Sequence, residues 1–180
     1  MKPVGKATIP QTDSGACPLV IIALGSNLGN ARENVLLAMD RLERLSVAPL
    51  LRSSLWVTTP VDCPPGSPAF VNAVVALRPR PAESPESLLQ RLQQIEREFG
   101  RTPKKILNEA RPLDLDLIAF GDRQRCSPRL VLPHSRARAR RFVLAPLCEL
   151  LPEHVLPGEV ETVGQLLAKL PADPAMRRTG

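Results

Sequence analysis

The chain has 180 residues, 43% of them apolar, with 24 Lys or Arg against 18 Asp or Glu and a formal net charge of +6. That is enough apolar material for one domain with a full core, and it excludes disorder throughout. Four scattered cysteines without a C-x-x-C pair, and only two histidines, exclude a zinc or disulfide framework.

Residues 1–17 lack periodicity and read as a flexible leader, residues 18–172 as a single domain, and residues 173–180 as a flexible tail. The first apolar run, Leu19 to Leu24, is too short for a signal-peptide core or a membrane span, so a cytoplasmic protein with reduced thiols is expected. That run ends at Gly25 and predicts a buried central strand. The turn Gly25–Asn30 follows, and Asn30 with Glu33 three residues on resembles a capping pair for a helix bearing Val35, Ala38, Leu42 and Leu45 on one face. A glycine-containing turn before a helix can cradle an anion, but turns of this composition are usually only turns, and the chain has no G-x-x-x-x-G-K-[ST] motif.

Leu50 to Thr59 predicts a second strand, closed by Pro60, and a proline-rich loop leads to a third strand from Phe70 to Leu77. Alternation there puts Phe70 and Asn72 on one face and Val71, Ala73, Val75 and Leu77 on the other. An amide amid apolar neighbours either ties down the preceding loop or forms a pocket wall with the Phe70 ring. Ser84-Pro85-Glu86 opens a helix whose buried stripe is Leu88, Leu92, Ile95 and Phe99, ended by Gly100. A further strand follows the basic loop 101–111. The order strand, helix, strand, strand, helix, strand predicts an α+β, ferredoxin-like βαββαβ core, an antiparallel sheet with both helices on one face. C-terminal additions follow: a short strand within Pro128–Pro133 and helices within Phe142–Leu151 and Thr162–Leu170.

The strand after the basic loop reads Leu113-Asp114-Leu115-Asp116-Leu117, so the leucines face one side and the two carboxylates the other. At two residues of strand rise the carboxylates stand about 7 Å apart, within reach of one divalent cation or a pair. The spacing alone fits a solvated edge face equally well. Its surroundings favour a cation and a polyphosphate: between Arg97 and Arg141 lie twelve Lys or Arg and five Asp or Glu, net +7, leaving the rest of the chain at −1. Nucleic acid is the rival partner for such a patch, but four Phe, one Trp and no Tyr offer few stacking platforms.

Four motifs in this order, Ala23-Leu-Gly-Ser-Asn-Leu28, Phe70-Val-Asn72, Arg111-Pro-Leu-Asp-Leu-Asp116, and Pro133-His134 with Arg140, resemble the hydroxymethyl-dihydropterin pyrophosphokinases of folate biosynthesis over roughly residues 19–157. The resemblance implies a ferredoxin-like fold and transfer of pyrophosphate from MgATP to a reduced pterin, releasing AMP. It implies that Asp114 and Asp116 hold two magnesium ions, that Arg101 and Arg111 clamp phosphates, and that Gln93, Lys104, Arg111, Arg129, His134 and Arg140 contact ATP. Gly25, Thr59, Pro60, Phe70, Asn72 and Phe142 are implied to form the pterin pocket, with Glu96 at its edge. A monomer acting on small molecules, with neither nucleic acid nor membrane as partner, is expected. Some members carry an aromatic at the place of Asn108 and an Arg at the place of Pro103, so lid closure by loop 101–111 is where this chain departs. A catalytically weak pterin-binding member and, further off, a ferredoxin-like RNA-binding module are the alternatives.

Overall fold

The computed structural model describes residues 17–60, 63–102 and 109–179. The leader proper, and loop positions Pro103, Lys104 and Asn108, lie outside the described residues. The core elements run β1 (Val20–Ser26), α1 (Ala31–Glu43), β2 (Leu51–Arg52), β3 (Leu55–Thr58), β4 (Phe70–Leu77), α2 (Pro85–Glu98) and β5 (Asp114–Phe120). They are followed by β6 (Arg125–Cys126), β7 (Val131–Leu132), a 3-10 turn at Ala137–Ala139, α3 (Arg141–Leu150), α4 (Val163–Lys169) and β8 (Arg177–Thr179). The main sheet has the order β5-β1-β4-β3-β8, antiparallel throughout, and β2 adds to β4. With β2 and β3 taken as one interrupted strand, this is the ferredoxin-like arrangement.

Local sequence accounts for most element ends. The Asn30 side chain accepts from the Glu33 N–H and starts α1, and Ser84 and Ser87 form a reciprocal cap ahead of Pro85 at the start of α2. Gly100 ends α2 at φ +88°, a conformation that a side chain would strain. Val35, Ala38 and Leu42 of α1 and Leu88, Leu92 and Ile95 of α2 pack on Val20, Ile22, Leu24, Ala73, Val75 and Leu77. Leu88 and Leu92 are wholly buried, and at about 1.5–3 kcal/mol for each such side chain this stripe is what fixes α2 against the sheet. Its polar edge, carrying Gln93 and Glu96, is thereby held beside β5.

The Gly25–Asn30 turn is a structural joint. Asn27 exchanges bonds with the backbone of Arg111, its N–H donating to Arg111 O at 3.1 Å and its Oδ1 accepting from Arg111 N at 2.9 Å. Asn34 donates to Leu28 O and Pro112 O. These bonds seat the end of β1 against the segment that enters β5.

The expected strand Leu50–Thr59 is interrupted. Ser53 N donates to Val74 O while Ser53 Oγ accepts from Val74 N, so a side chain replaces the backbone in the ladder and divides β2 from β3. The last strand of the core also breaks alternation: between Ile21 and Ile22 the partner register jumps from Ala119 to Leu117, leaving Ile118 as an extra residue. Leu117 and Phe120 then both enter the α1–α2 core, and Ile118 and Ala119 turn to the other face.

That second face carries α3 and α4, whose Val143, Leu144, Leu147, Val163 and Leu166 cover Ile21, Val74 and Ile118. The flexible tail expected over 173–180 is corrected here: Arg177–Thr179 form β8, paired with β3 in the register Val57↔Arg177 and Leu55↔Thr179. Arg178 donates to Ser54 Oγ at 2.6 Å and lies 3.6 Å from Glu149. No apolar alternation announces this strand; the exposed edge of β3 and the acidic Glu149 capture it.

Candidate active site

α3 and α4 cover only one end of their face of the sheet. At the uncovered end, Ala23 and Gly25 of β1, Phe70 and Asn72 of β4, and Asp114 and Asp116 of β5 point the same way, beyond Ile21, Val74 and Ile118 of their own strands. Register makes a row of three: Asp114 pairs with Gly25, and Gly25 pairs with Asn72. Adjacent strands lie about 4.8 Å apart, so the carboxylate and the amide stand about 10 Å apart across a glycine. This row floors a cleft of about 660 Å³.

Gly25 is required by that row. A Cβ there would stand 3.0 Å from Asn72 Oδ1 and 3.7 Å from the Phe70 ring. Asn72 has little room to give, because it is buried and its Nδ2 donates to Thr58 Oγ1 at 2.8 Å. The amide thus lines the cleft, and its bond to Thr58 ties β4 to β3 rather than to the preceding loop.

The carboxylate side is a dense ion-pair network. Arg101 Nη1 reaches Asp114 Oδ1 at 2.6 Å and also pairs with Glu96. Arg111 Nη2 reaches Asp114 Oδ2 at 2.8 Å, and its guanidinium lies over the Phe70 ring, 5.3 Å from the centroid. Its Nε is buried without a hydrogen-bond partner among the described residues. Arg140 Nη1 lies 3.4 Å from Asp116 Oδ2 and over Phe142 at 5.4 Å. Glu96 Oε1 accepts from Leu115 N at 2.7 Å, capping the outward amide of an edge strand between the two aspartates. Burial raises the Glu96 carboxyl to about 7. Burial, reinforced by Asp114, also raises Asp116, and burial lowers His134. His134 is held by its own N–H on Ile118 O at 2.9 Å.

Of the residues singled out in the sequence, Gly25, Thr59, Phe70, Asn72, Gln93, Glu96, Arg101, Arg111, Asp114, Asp116, His134, Arg140 and Phe142 line this one cleft. Two do not. Pro60 follows Thr59 just outside the lining, and Arg129 is exposed in the turn between β6 and β7 and is not among the lining residues. The hairpin register turns Leu130 and Leu132 inward and leaves the Arg129 side chain out. Lys104 lies outside the described residues. The cleft also contains residues that no motif marked: Thr58, Arg136, Arg141 and the segment Leu170–Asp173. Thr58 was findable as the strand residue before Thr59; the segment 170–173 has no sequence signal.

The sequence model described as 7,8-dihydro-6-hydroxymethylpterin-pyrophosphokinase (HPPK) matches residues 21–152. The chain belongs to this family. The 2-amino-4-hydroxy-6-hydroxymethyldihydropteridine pyrophosphokinase of Pseudomonas aeruginosa is 41% identical over 162 residues, covering 89% of this chain and 97% of its own. The Synechocystis enzyme of the same name is 37% identical over 170 residues, with 94% and 83% covered. A solved HPPK-DHPS structure in complex with substrates superposes with a TM-score of 0.69 at 11% identity, over 91% of this chain and 46% of that one. The chain therefore spans about half of that larger solved protein and shares the fold of its HPPK part. The matched region ends at residue 152, short of a segment that also lines the cleft.

Proposed function

We infer that the chain transfers the terminal pyrophosphate of ATP to the hydroxymethyl oxygen of 6-hydroxymethyl-7,8-dihydropterin and releases AMP, a step of folate biosynthesis. The observation that carries this reading is the row Asp114–Gly25–Asn72, which sets a polyphosphate-handling carboxylate and a heterocycle-reading amide side by side in one cleft. The attacked atom is a phosphorus, so the protein's task is to align two ligands and spread negative charge.

The pterin ring fits between Phe70 and Phe142, with Asn72 reading its edge and Gly25 and Thr59 closing the slot. The triphosphate fits along Arg101, Arg111 and Arg140, whose guanidiniums already crowd the carboxylates, with Gln93 and His134 toward the nucleotide. Asp114 and Asp116 suit two magnesium ions: hard carboxylate oxygens, neighbours on one strand face, with Asp116 ionised at a cost that a cation removes. Among the described residues no third His, Cys, Asp or Glu completes a cluster, so Asp114 and Asp116 would hold a metal whose remaining ligands would have to come from phosphate and water. Magnesium, when bound, neutralises charge on the triphosphate and on the leaving group. In this reading Arg101 and Arg111 leave Asp114 for phosphate oxygens, Glu96 holds β5 in register, and no side chain need act as a general base, because the hydroxyl proton leaves late in a loose transition state.

The paired acidic floor is ill suited to RNA, so the partners are small molecules. No described helix is long and apolar enough to cross a membrane, and four scattered cysteines without a C-x-x-C pair suit a reducing cytoplasm. Nothing in the cleft calls for a second copy, and a monomer is the simplest working unit.

The test is AMP release from ATP, magnesium and 6-hydroxymethyl-7,8-dihydropterin. AMP that appears only with the pterin supports the reading; pterin binding without AMP would leave a binding protein in its place. Gly25→Ala adds a methyl group against an amide that cannot retreat, and it is expected to weaken pterin binding about tenfold, about 1.4 kcal/mol, with ATP binding unchanged. A pterin titration of the variant checks this, and an unaltered affinity would remove Gly25–Asn72 from the pterin slot.

A further inference from the structure

The HPPK sequence match ends at residue 152, yet Leu170, Pro171, Ala172 and Asp173 line the cleft. This segment is built in at both ends. At its start, Arg141 Nη1 donates to Leu170 O at 3.1 Å and to Pro171 O at 3.3 Å. Just beyond, the Asp173 side chain accepts from Ala175 N and its carbonyl accepts from Met176 N, folding the chain back. At its end, β8 pairs with β3, Arg177 opposite Val57. Arg178 anchors this strand on Ser54 and Glu149, and Glu149 in turn holds Trp56 Nε1 and Ser54 N.

These anchors fix where the segment crosses. Arg141 precedes Phe142, and Val57 precedes Thr58 and Thr59, and Arg141, Phe142, Thr58 and Thr59 all line the cleft. A chain strung from Arg141 to Val57 therefore passes over the Phe142–Thr59 end of the cleft. Gln93, Glu96 and His134 stand elsewhere, on α2 and beside β5. The segment closes the part assigned to the pterin and leaves the nucleotide part alone.

We propose that residues 170–179 form a C-terminal strap that walls the pterin slot, and that Arg141 is a positioning residue, acting on the pterin through the strap. The proposal rests on the pterin reading of Phe142, Thr59 and Asn72. Arg141 Nη1 donates to both strap carbonyls, and helix α3 fixes the residue's backbone. The strap narrows the slot at the Phe142 end and so selects against pterins bulkier than the substrate.

Arg141→Met removes the start anchor. Arg178→Glu sets a like charge beside Glu149 on a side chain that is 65% exposed, so it loosens the end anchor without a core change. Both full-length variants are expected to raise the KM for 6-hydroxymethyl-7,8-dihydropterin about tenfold while kcat and the KM for ATP stay within twofold. Arg141→Lys, which keeps the charge and a donor group that can reach the strap carbonyls, is expected to recover most of the loss. A parallel titration with a pterin bearing a larger 6-substituent should show weaker discrimination against it in both variants. Unchanged pterin KM in both, or equal losses for pterin and ATP, would overturn the strap assignment. A wild-type protein that binds no pterin would instead overturn the reading beneath it, so the two failures are distinct.

Discussion

Asp116→Ala is expected to lower AMP formation by about a thousandfold or more while leaving the protein folded. The carboxylate stands on β5 opposite Ala23, one position along from the Asp114–Gly25–Asn72 row, and supplies half of the charge that would hold magnesium against the triphosphate. Losing several kcal/mol of charge stabilisation in the transition state is a loss of about three decades or more in rate. Stability should move the other way. Burial and the neighbouring Asp114 raise the Asp116 carboxyl, so the folded protein holds its proton more tightly than the unfolded chain does. A raised acid contributes stability at pH values below the ordinary carboxylate pKa of about 3.9, and that contribution is lost as pH rises through the folded value. At pH 8 the ionised group is a cost, and Asp116→Asn, which keeps the shape without the charge, should melt at or above the wild-type temperature. Magnesium with an ATP analogue should stabilise the wild type and not this variant. Thermal melts at pH 4 and pH 8 beside an AMP assay check both halves; a variant that keeps its rate would remove Asp116 from the metal site.

Much of this site was legible because its residues alternate. Strict spacing in Leu113–Leu117 places both aspartates on the face away from the α1–α2 core, and the same rule puts Phe70 with Asn72 and against Val71, Ala73 and Val75. The row that joins them was not legible, since it depends on pairing of β1 with strands 47 residues (Gly25 to Asn72) and 89 residues (Gly25 to Asp114) further along the chain. Ser53 broke the second strand by offering a hydroxyl where the ladder wanted a carbonyl, which no periodicity reveals. Arg129 looked equivalent to its basic neighbours by charge, yet the β6–β7 turn sends it to solvent, whereas Arg140 is drawn in by Asp116 and Phe142. Charge density locates a patch; only register decides which of its members reach the cleft. The strap shows the same limit from the other side, because a polar segment without alternation became a strand through the edge it met.

Arg111→Ala is expected to cost kcat about a thousandfold with a smaller change in the KM for ATP. Three restraints aim this guanidinium. Its backbone is clamped by Asn27 on both its N–H and its C=O, its head is paired to Asp114 Oδ2 at 2.8 Å, and its plane rests over Phe70. Its Nε, buried without a partner among the described residues, is a donor left in reserve. An arginine so placed has only to turn its head from Asp114 to the phosphate oxygens, and arginines in that role are worth roughly three to five decades in phosphoryl transfer. The same geometry makes lysine a poor replacement. Arg111→Lys keeps the charge but gives up the planar stack on Phe70 and the forked donors, and is expected to recover less than a tenth of the lost rate. The fold should tolerate both changes, at a loss of less than about 2 kcal/mol, because Arg101 still holds Asp114 Oδ1 and the orphaned Nε is removed with the side chain. Single-turnover AMP formation at saturating ATP and pterin isolates the chemical step. A lysine variant at near wild-type rate would show that Arg111 supplies only bulk positive charge, whereas a loss confined to KM would move it from the transition state to ground-state ATP binding.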